Sequence, residues 1–124
     1  MKVVDIDPEM KEDLRISDAR GSRTTGEHDL EAGIAVFPPG FKTHWHQHNS
    51  EQLHYVISGK GAIGTEKEQH IATPGKAFLI PRNTKHFQAA AEDSTFTFMF
   101  VLRFFPTHTT AEYPESFPDV TVFK

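Results

Sequence analysis

Between Thr95 and Phe105 the chain reads TFTFMFVLRFF, with Phe96, Phe98, Phe100, Leu102 and Phe104 on alternate positions and Thr95, Thr97, Met99, Val101 and Arg103 between them. A period of two belongs to a β-strand, because successive side chains leave a pleated ribbon on opposite faces. An amphipathic helix would repeat its apolar positions every three to four residues and cannot seat this pattern. The run is therefore expected to be a strand with its phenylalanine face sealed in a core and its other face partly polar.

The rest of the chain agrees with that constraint. Short β-prone runs are separated by Gly and Pro: VVDI near the start, GIAVF before Pro38-Pro39-Gly40, EQLHYVI before Ser58-Gly59, GAIG, and KAFLI before Pro81. No helical period of useful length appears, and many short strands at such spacing predict an all-β sandwich or barrel. Lys67 to Gln69 read as a hairpin tip, and Thr73-Pro74-Gly75 and Pro81-Arg82-Asn83-Thr84 as tight turns. Gly40, Gly59 and Gly75 are expected at positive φ or at close backbone approaches.

With 124 residues the chain is long enough for one core and too short for two. Residues 1–22 are read as an N-terminal arm, 23–105 as the barrel and 106–124 as a Pro-rich tail whose VTVF segment is suited to a sheet edge, its own or a partner subunit's. Thirteen Lys and Arg against seventeen Asp and Glu give a net charge of −4 with no dense basic run, which argues against a nucleic-acid partner. Zero cysteines exclude disulfide and thiolate chemistry. The opening MKVVDIDPEMKEDLR interrupts any apolar run with acidic residues, and no stretch reaches the roughly 18 apolar residues of a membrane span. A cytoplasmic protein without a membrane partner is the expectation.

Residues 44 to 56, HWHQHNSEQLHYV, hold four of the eight histidines. On one strand running unbroken through Asn49 and Ser50, His44, His46, His48, Gln52 and His54 would share a face. Imidazoles at i and i+2 stand about 7 Å apart at their backbones, close enough to lean onto one ion. His-x-His on a strand is thus a metal clamp by geometry, although a solvated pair of surface histidines has the same spacing.

The surrounding spacing adds to this. Gly40, five residues, His46-x-His48, three residues, Gln52, six residues and Gly59 resemble the first motif of the cupin family, with Gln52 in place of a Glu. Gly75, five residues, Pro81-x-Asn83, two residues and His86 resemble the second cupin motif, with Asn83 in place of a Gly and Ala90 where an Asn is usual. The resemblance implies a single-domain cupin-type β-barrel, jelly-roll-like, of two facing antiparallel sheets. It further implies one divalent transition metal held by His46, His48, Gln52 and His86, and a homodimer. A second register, His44-x-His46 with Glu51 as a carboxylate ligand, needs a bulge and breaks the spacing to Gly40 and Gly59.

Three imidazoles and a neutral amide leave the double charge of such an ion uncompensated, which makes it a strong Lewis acid. The set resembles cupins that isomerise unsaturated uronates and cupins that cyclise polyketides. The expected function is an isomerase, cyclase or lyase acting on a small oxygen-rich molecule. A metal-dependent dioxygenase and a non-catalytic sugar-binding or sensor module stand as alternatives. His54 is the candidate proton relay, against a purely structural role. His44 at the rim and Arg103 on the last strand are candidate substrate contacts, against solvation and an ordinary ion pair. Trp45 and Tyr55, of odd parity, should face away from the metal, and His28, His70 and His108 are expected to be solvated. Nickel, zinc, manganese, iron, cobalt and copper all suit nitrogen and amide-oxygen donors.

Overall fold

The computed structural model describes residues 20–23, 30–103 and 109–124, with the side chains of all but 20–23 and 103. Among the described residues ten strands form two antiparallel five-stranded sheets. The first sheet takes β1 (Arg20–Arg23), β2 (Leu30–Phe37), β9 (Phe96–Arg103), β4 (Gln52–Gly59) and β7 (Ala77–Ile80) in the order β1-β2-β9-β4-β7. The second takes β10 (Thr110–Tyr113), β3 (Trp45–His48), β8 (His86–Ala90), β5 (Gly61–Thr65) and β6 (Gln69–Ala72) in the order β10-β3-β8-β5-β6. Each sheet is hydrogen-bonded within itself and the two face one another, so the molecule is a jelly-roll sandwich rather than a closed barrel. No helix occurs among the described residues, and so none long and apolar enough to cross a membrane.

The alternating phenylalanines behave as their period demands. Phe96 and Phe98 of β9 lie inside with Phe37, Val56 and Ile80 of the same sheet and Ile63, Ala72 and Ala90 of the other, forming one core. Phe37 meets Phe98 edge-on at 5.2 Å between centroids, a favoured arrangement for aromatic pairs. Further along β9, Phe100 only abuts this core and Leu102 lies at its far end; Phe104 falls outside the described residues. The apolar filling thus occupies one end of the sandwich and leaves the Leu102 end for polar inward-facing side chains.

The tight turns position both ends of the strands. Gly59 has φ +81°, and a Cβ there would run into the Thr95 carbonyl, so the β4–β9 crossing requires glycine. Asn83 replaces the glycine usual in the second motif. It holds φ 58°, a left-handed conformation that Asn tolerates better than most residues, and its N–H donates to the His48 carbonyl at 2.6 Å. That bond ties the turn before β8 to the end of β3.

Two expectations change. The histidine ribbon is not continuous: Asn49 and Ser50 form a bend, Glu51 lies outside any strand, and β3 and β4 belong to different sheets. The two short polar residues permit the chain to leave one sheet and enter the other. The tail also contributes more than an extended segment. Residues 110–113 form β10 on the edge of the second sheet, pairing with β3. The VTVF segment is not a strand; Val120, Val122 and Phe123 pack with Trp45 on Ala62, Phe87 and Ala89, the outer side of that sheet. Gln69 fastens it, accepting from the Thr121 N–H at 3.0 Å and donating to the Asp119 carbonyl at 2.8 Å. Phe123→Ala should therefore destabilise the protein by roughly 1–2 kcal/mol, the range for a partly buried apolar truncation. Thermal or urea unfolding measures this, and an unchanged midpoint would show that the chain end contributes nothing to the fold.

Candidate metal centre

At the end of the sandwich opposite the phenylalanine core, three imidazoles converge. Strand alternation sends His46 and His48 of β3 inward and Trp45 outward, where it meets Phe87 edge-on at 5.3 Å. Antiparallel pairing sets His86 of β8 directly beside His46, so the two side chains rise from neighbouring strands on one face. The ring centroids of His46 and His86 are 4.3 Å apart, and each is 5.7 Å from that of His48. One potential ligand atom from each of the three lies within 4.8 Å of the others. His46 and His86 donate Nδ1–H to the backbone carbonyls of His44 at 2.9 Å and Thr84 at 2.7 Å. A carbonyl can only accept, so both neutral rings carry their lone pair on Nε2. This is how metal-binding histidines are oriented by their outer hydrogen bonds.

Burial keeps these rings neutral. His86 is fully buried, and burial followed by the neighbouring His46 pulls its pKa well below 6.5. His46 is lowered as well, chiefly by burial, against the opposing effect of its bond to His44. Rings that resist protonation need shed no proton to bind a cation. Three imidazole nitrogens brought within 4.8 Å of one another, two of them held in the required tautomer by carbonyls, fit a divalent transition metal.

Gln52 reaches this cluster from the other sheet. It is the first residue of β4, 4% exposed, and its Nε2 lies 3.0 Å from His86 Nε2. Glu51 is exposed and outside β4, and the cluster contains His48, not His44. The geometry thus brings His46, His48, Gln52 and His86 together and leaves the Glu51 register without support. Among the described residues the cluster includes no carboxylate.

The other sequence-derived candidates are placed as follows. His54 is 1% exposed, donates Nε2–H to Gln52 Oε1 at 2.9 Å and stacks near Phe98 at 5.2 Å. Burial, then the nearby His46, lowers its pKa to about 3, so it holds no positive charge near neutrality. His44 is half-buried at the rim, 3.8 Å from Glu112. The side chain of Arg103, and His28 and His108, lie outside the described residues. His70 is exposed and pairs with Glu68 at 2.8 Å. Tyr55 points outward as its parity requires.

Two inward polar residues escape a reading of motifs alone. Gln88 of β8 shares the parity of His86; it is 5% exposed and its Nε2 lies 3.4 Å from His54 Nδ1. Glu31 of β2 is 5% exposed and registers with Leu102, which registers with Gln52. Directly paired residues point to the same face, so Glu31 lies inside, two strands from Gln52. Its parity with Gly33, Ala35 and Phe37 was the available signal.

Comparisons with known proteins agree with the fold. The model of the cupin domain matches residues 33–102. Auxin-binding protein T92 of Nicotiana tabacum is 30% identical over 69 residues, 53% of this chain and 37% of that protein, so the chain spans well under half of that relative's length. The polyketide cyclase RemF of Streptomyces resistomycificus superposes with a TM-score of 0.72 at 21% identity, covering 94% of this chain and 89% of the cyclase. A sugar phosphate isomerase of the cupin superfamily from Silicibacter pomeroyi gives 0.70 at 20% identity, over 78% and 66% of the two chains. At these identities the two structures establish a shared fold.

Proposed function

Since this chain belongs to the cupin family, we propose that it is a metal-dependent isomerase, cyclase or lyase that acts without redox change on a small oxygen-rich molecule such as an unsaturated sugar acid or a polyketide. The observation that carries this reading is the donor set: three imidazoles and one neutral amide, with no carboxylate in the cluster among the described residues. A divalent metal held there keeps its full double charge and supplies polarisation of a carbonyl or a vicinal oxygen pair. Iron oxygenases characteristically add a carboxylate whose charge stabilises the oxidised ion. The solved structures of similar fold that carry isomerase and cyclase names are consistent with this reaction class.

The chain's own side chains divide the remaining work. His46, His48 and His86 would provide the nitrogens, and the carbonyls of His44 and Thr84 keep the lone pairs of His46 and His86 on Nε2. Phe98 and Leu102, buried beside the inward row, exclude water from the inner wall. Proton transfer needs a side chain that can take up and release a proton beside the substrate. His54, relied on for this from sequence, remains neutral and is enclosed by two glutamines, a setting better suited to orientation than to carrying charge. Glu31, an inward carboxylate in the same cross-strand row as Gln52, is the side chain we assign to move a proton on substrate.

A binding module is the second reading, favoured by the resemblance to an auxin-binding protein over 69 residues. The two separate in one experiment: metal-loaded protein is incubated with unsaturated uronates and polyphenolic ketones under strict anaerobiosis. The isomerase, cyclase or lyase reading expects product at an undiminished rate without oxygen. Turnover that stops with oxygen removal identifies a dioxygenase, and thermal stabilisation by a compound that is never consumed identifies a binding protein.

A further inference from the structure

Resting on the metal site described above, we propose that Gln88 is a positioning residue: acting through His54, it sets whether Gln52 turns its amide nitrogen or its amide oxygen toward the three imidazoles. Four buried side chains form an uninterrupted thread between the sheets. His86 donates Nδ1–H to the Thr84 carbonyl, so its Nε2 must accept, and the group beside it at 3.0 Å is Gln52 Nε2. Gln52 Oε1 then faces the other way and accepts Nε2–H of His54 at 2.9 Å. The neutral His54 ring is left with a lone pair on Nδ1, to which Gln88 Nε2 points from 3.4 Å. One carbonyl at the end of the thread fixes the direction of every bond along it.

In this direction the thread is closed to a metal at two points. The Gln52 amide N–H occupies the lone pair of His86 Nε2, and an amide nitrogen, whose own lone pair is delocalised, is not a ligand. Ligation by Gln52 requires its oxygen to face the imidazoles, which turns its N–H toward His54. The His54 Nε2 must then accept, its proton must sit on Nδ1, and Gln88 must present Oε1 instead of Nε2. Both glutamine amides turn over and one proton changes nitrogen, with no net gain or loss of protons and no hydrogen bond left unmade between the three side chains. The thread therefore has two self-consistent states, the second only when a cation stands between Gln52 Oε1 and the lone pair of His86 Nε2. Intermediate combinations would leave a donor facing a donor in a dry interior, at the full cost of a buried unsatisfied group. Glutamine at position 88 is what permits both, since it offers a donor and an acceptor at the same place.

Long-range proton–nitrogen correlation spectra of 15N-labelled protein test this without any substrate, because they report which ring nitrogen of each histidine carries the proton. After chelator treatment, His54 should be protonated on Nε2. One equivalent of Zn²⁺ should shift the ring nitrogens of His46, His48 and His86 and move the His54 proton to Nδ1. If those three rings respond and His54 stays protonated on Nε2, the positioning role is overturned while the metal site stands. If none of the three responds to zinc, the metal site fails, and the positioning role fails with it. Gln88→Leu adds an independent readout: it removes the acceptor for Nδ1–H, so zinc affinity by calorimetry should fall roughly 10- to 100-fold, as for lost outer-shell partners. Unchanged affinity contradicts the proposal. Should that variant not fold, the spectra of the natural protein decide alone.

Discussion

Substituting His48→Ala or His86→Ala should remove high-affinity metal binding, with a loss well beyond the roughly 100-fold typical of outer-shell changes, because each deletes one of three converging nitrogens. The two variants should differ in what else they lose. His86 is fully buried and bonded to Thr84 and Gln52, so its truncation opens a cavity and leaves the Gln52 amide without its acceptor. His48 is half-buried, and its Nδ1 lies 2.9 Å from Thr110 Oγ1 on the edge strand, so its truncation should cost much less stability. Calorimetric titration with Zn²⁺ or Ni²⁺, alongside urea unfolding of the chelator-treated proteins, separates the two effects. Retention of tight binding by His48→Ala would mean that the ion is held elsewhere.

Acid should unfold the metal-free protein steeply, and the histidines determine the window. His54 has a folded pKa near 3, and His46 and His86 are also depressed below 6.5, in every case chiefly by burial. In the unfolded chain each returns to about 6.5. Below that pH the unfolded state binds protons that the folded state refuses, so stability is fully present above pH 6.5 and falls as pH drops toward the folded values. Between 6.5 and its folded value, His54 contributes a slope on the order of 1 kcal/mol per pH unit. His46 and His86 add to the slope of His54 in the same direction. Urea midpoints of the chelator-treated protein should be level between pH 7 and 8 and decline steadily from pH 6.5 to 5. A midpoint independent of pH across that lower interval would contradict the burial of these rings.

Much of this molecule is legible in its sequence because its rules are local. The period of two from Phe96 to Leu102 announces a strand and its inner face, and His46 and His48 declare a shared face by parity. Position 52 is distinguished from 51 by the same alternation, and burial of Gln52 beside His86 follows it. What was not legible is long-range. The partnership of His46 and His86 depends on pairing between β3 and β8, forty residues apart in sequence and joined only through the sheet; it was reached by family resemblance. The bend at Asn49-Ser50 was missed because two polar residues between strand-like runs read equally well as a continuous ribbon. In fact the bend is what lets Gln52 meet the imidazoles from the opposite sheet. Gln88, in the run HFQAA, carries no motif, and only its contact with His54 gives it significance.

Metal-edge X-ray absorption on the purified protein, combined with elemental analysis, addresses the central claim most directly. One stoichiometric transition metal ion per chain, with scattering from three imidazoles and a further oxygen donor, is the expected result. A protein that holds no stoichiometric ion after growth and reconstitution in metal-supplemented medium, or an ion whose shell lacks imidazole scattering, would contradict it.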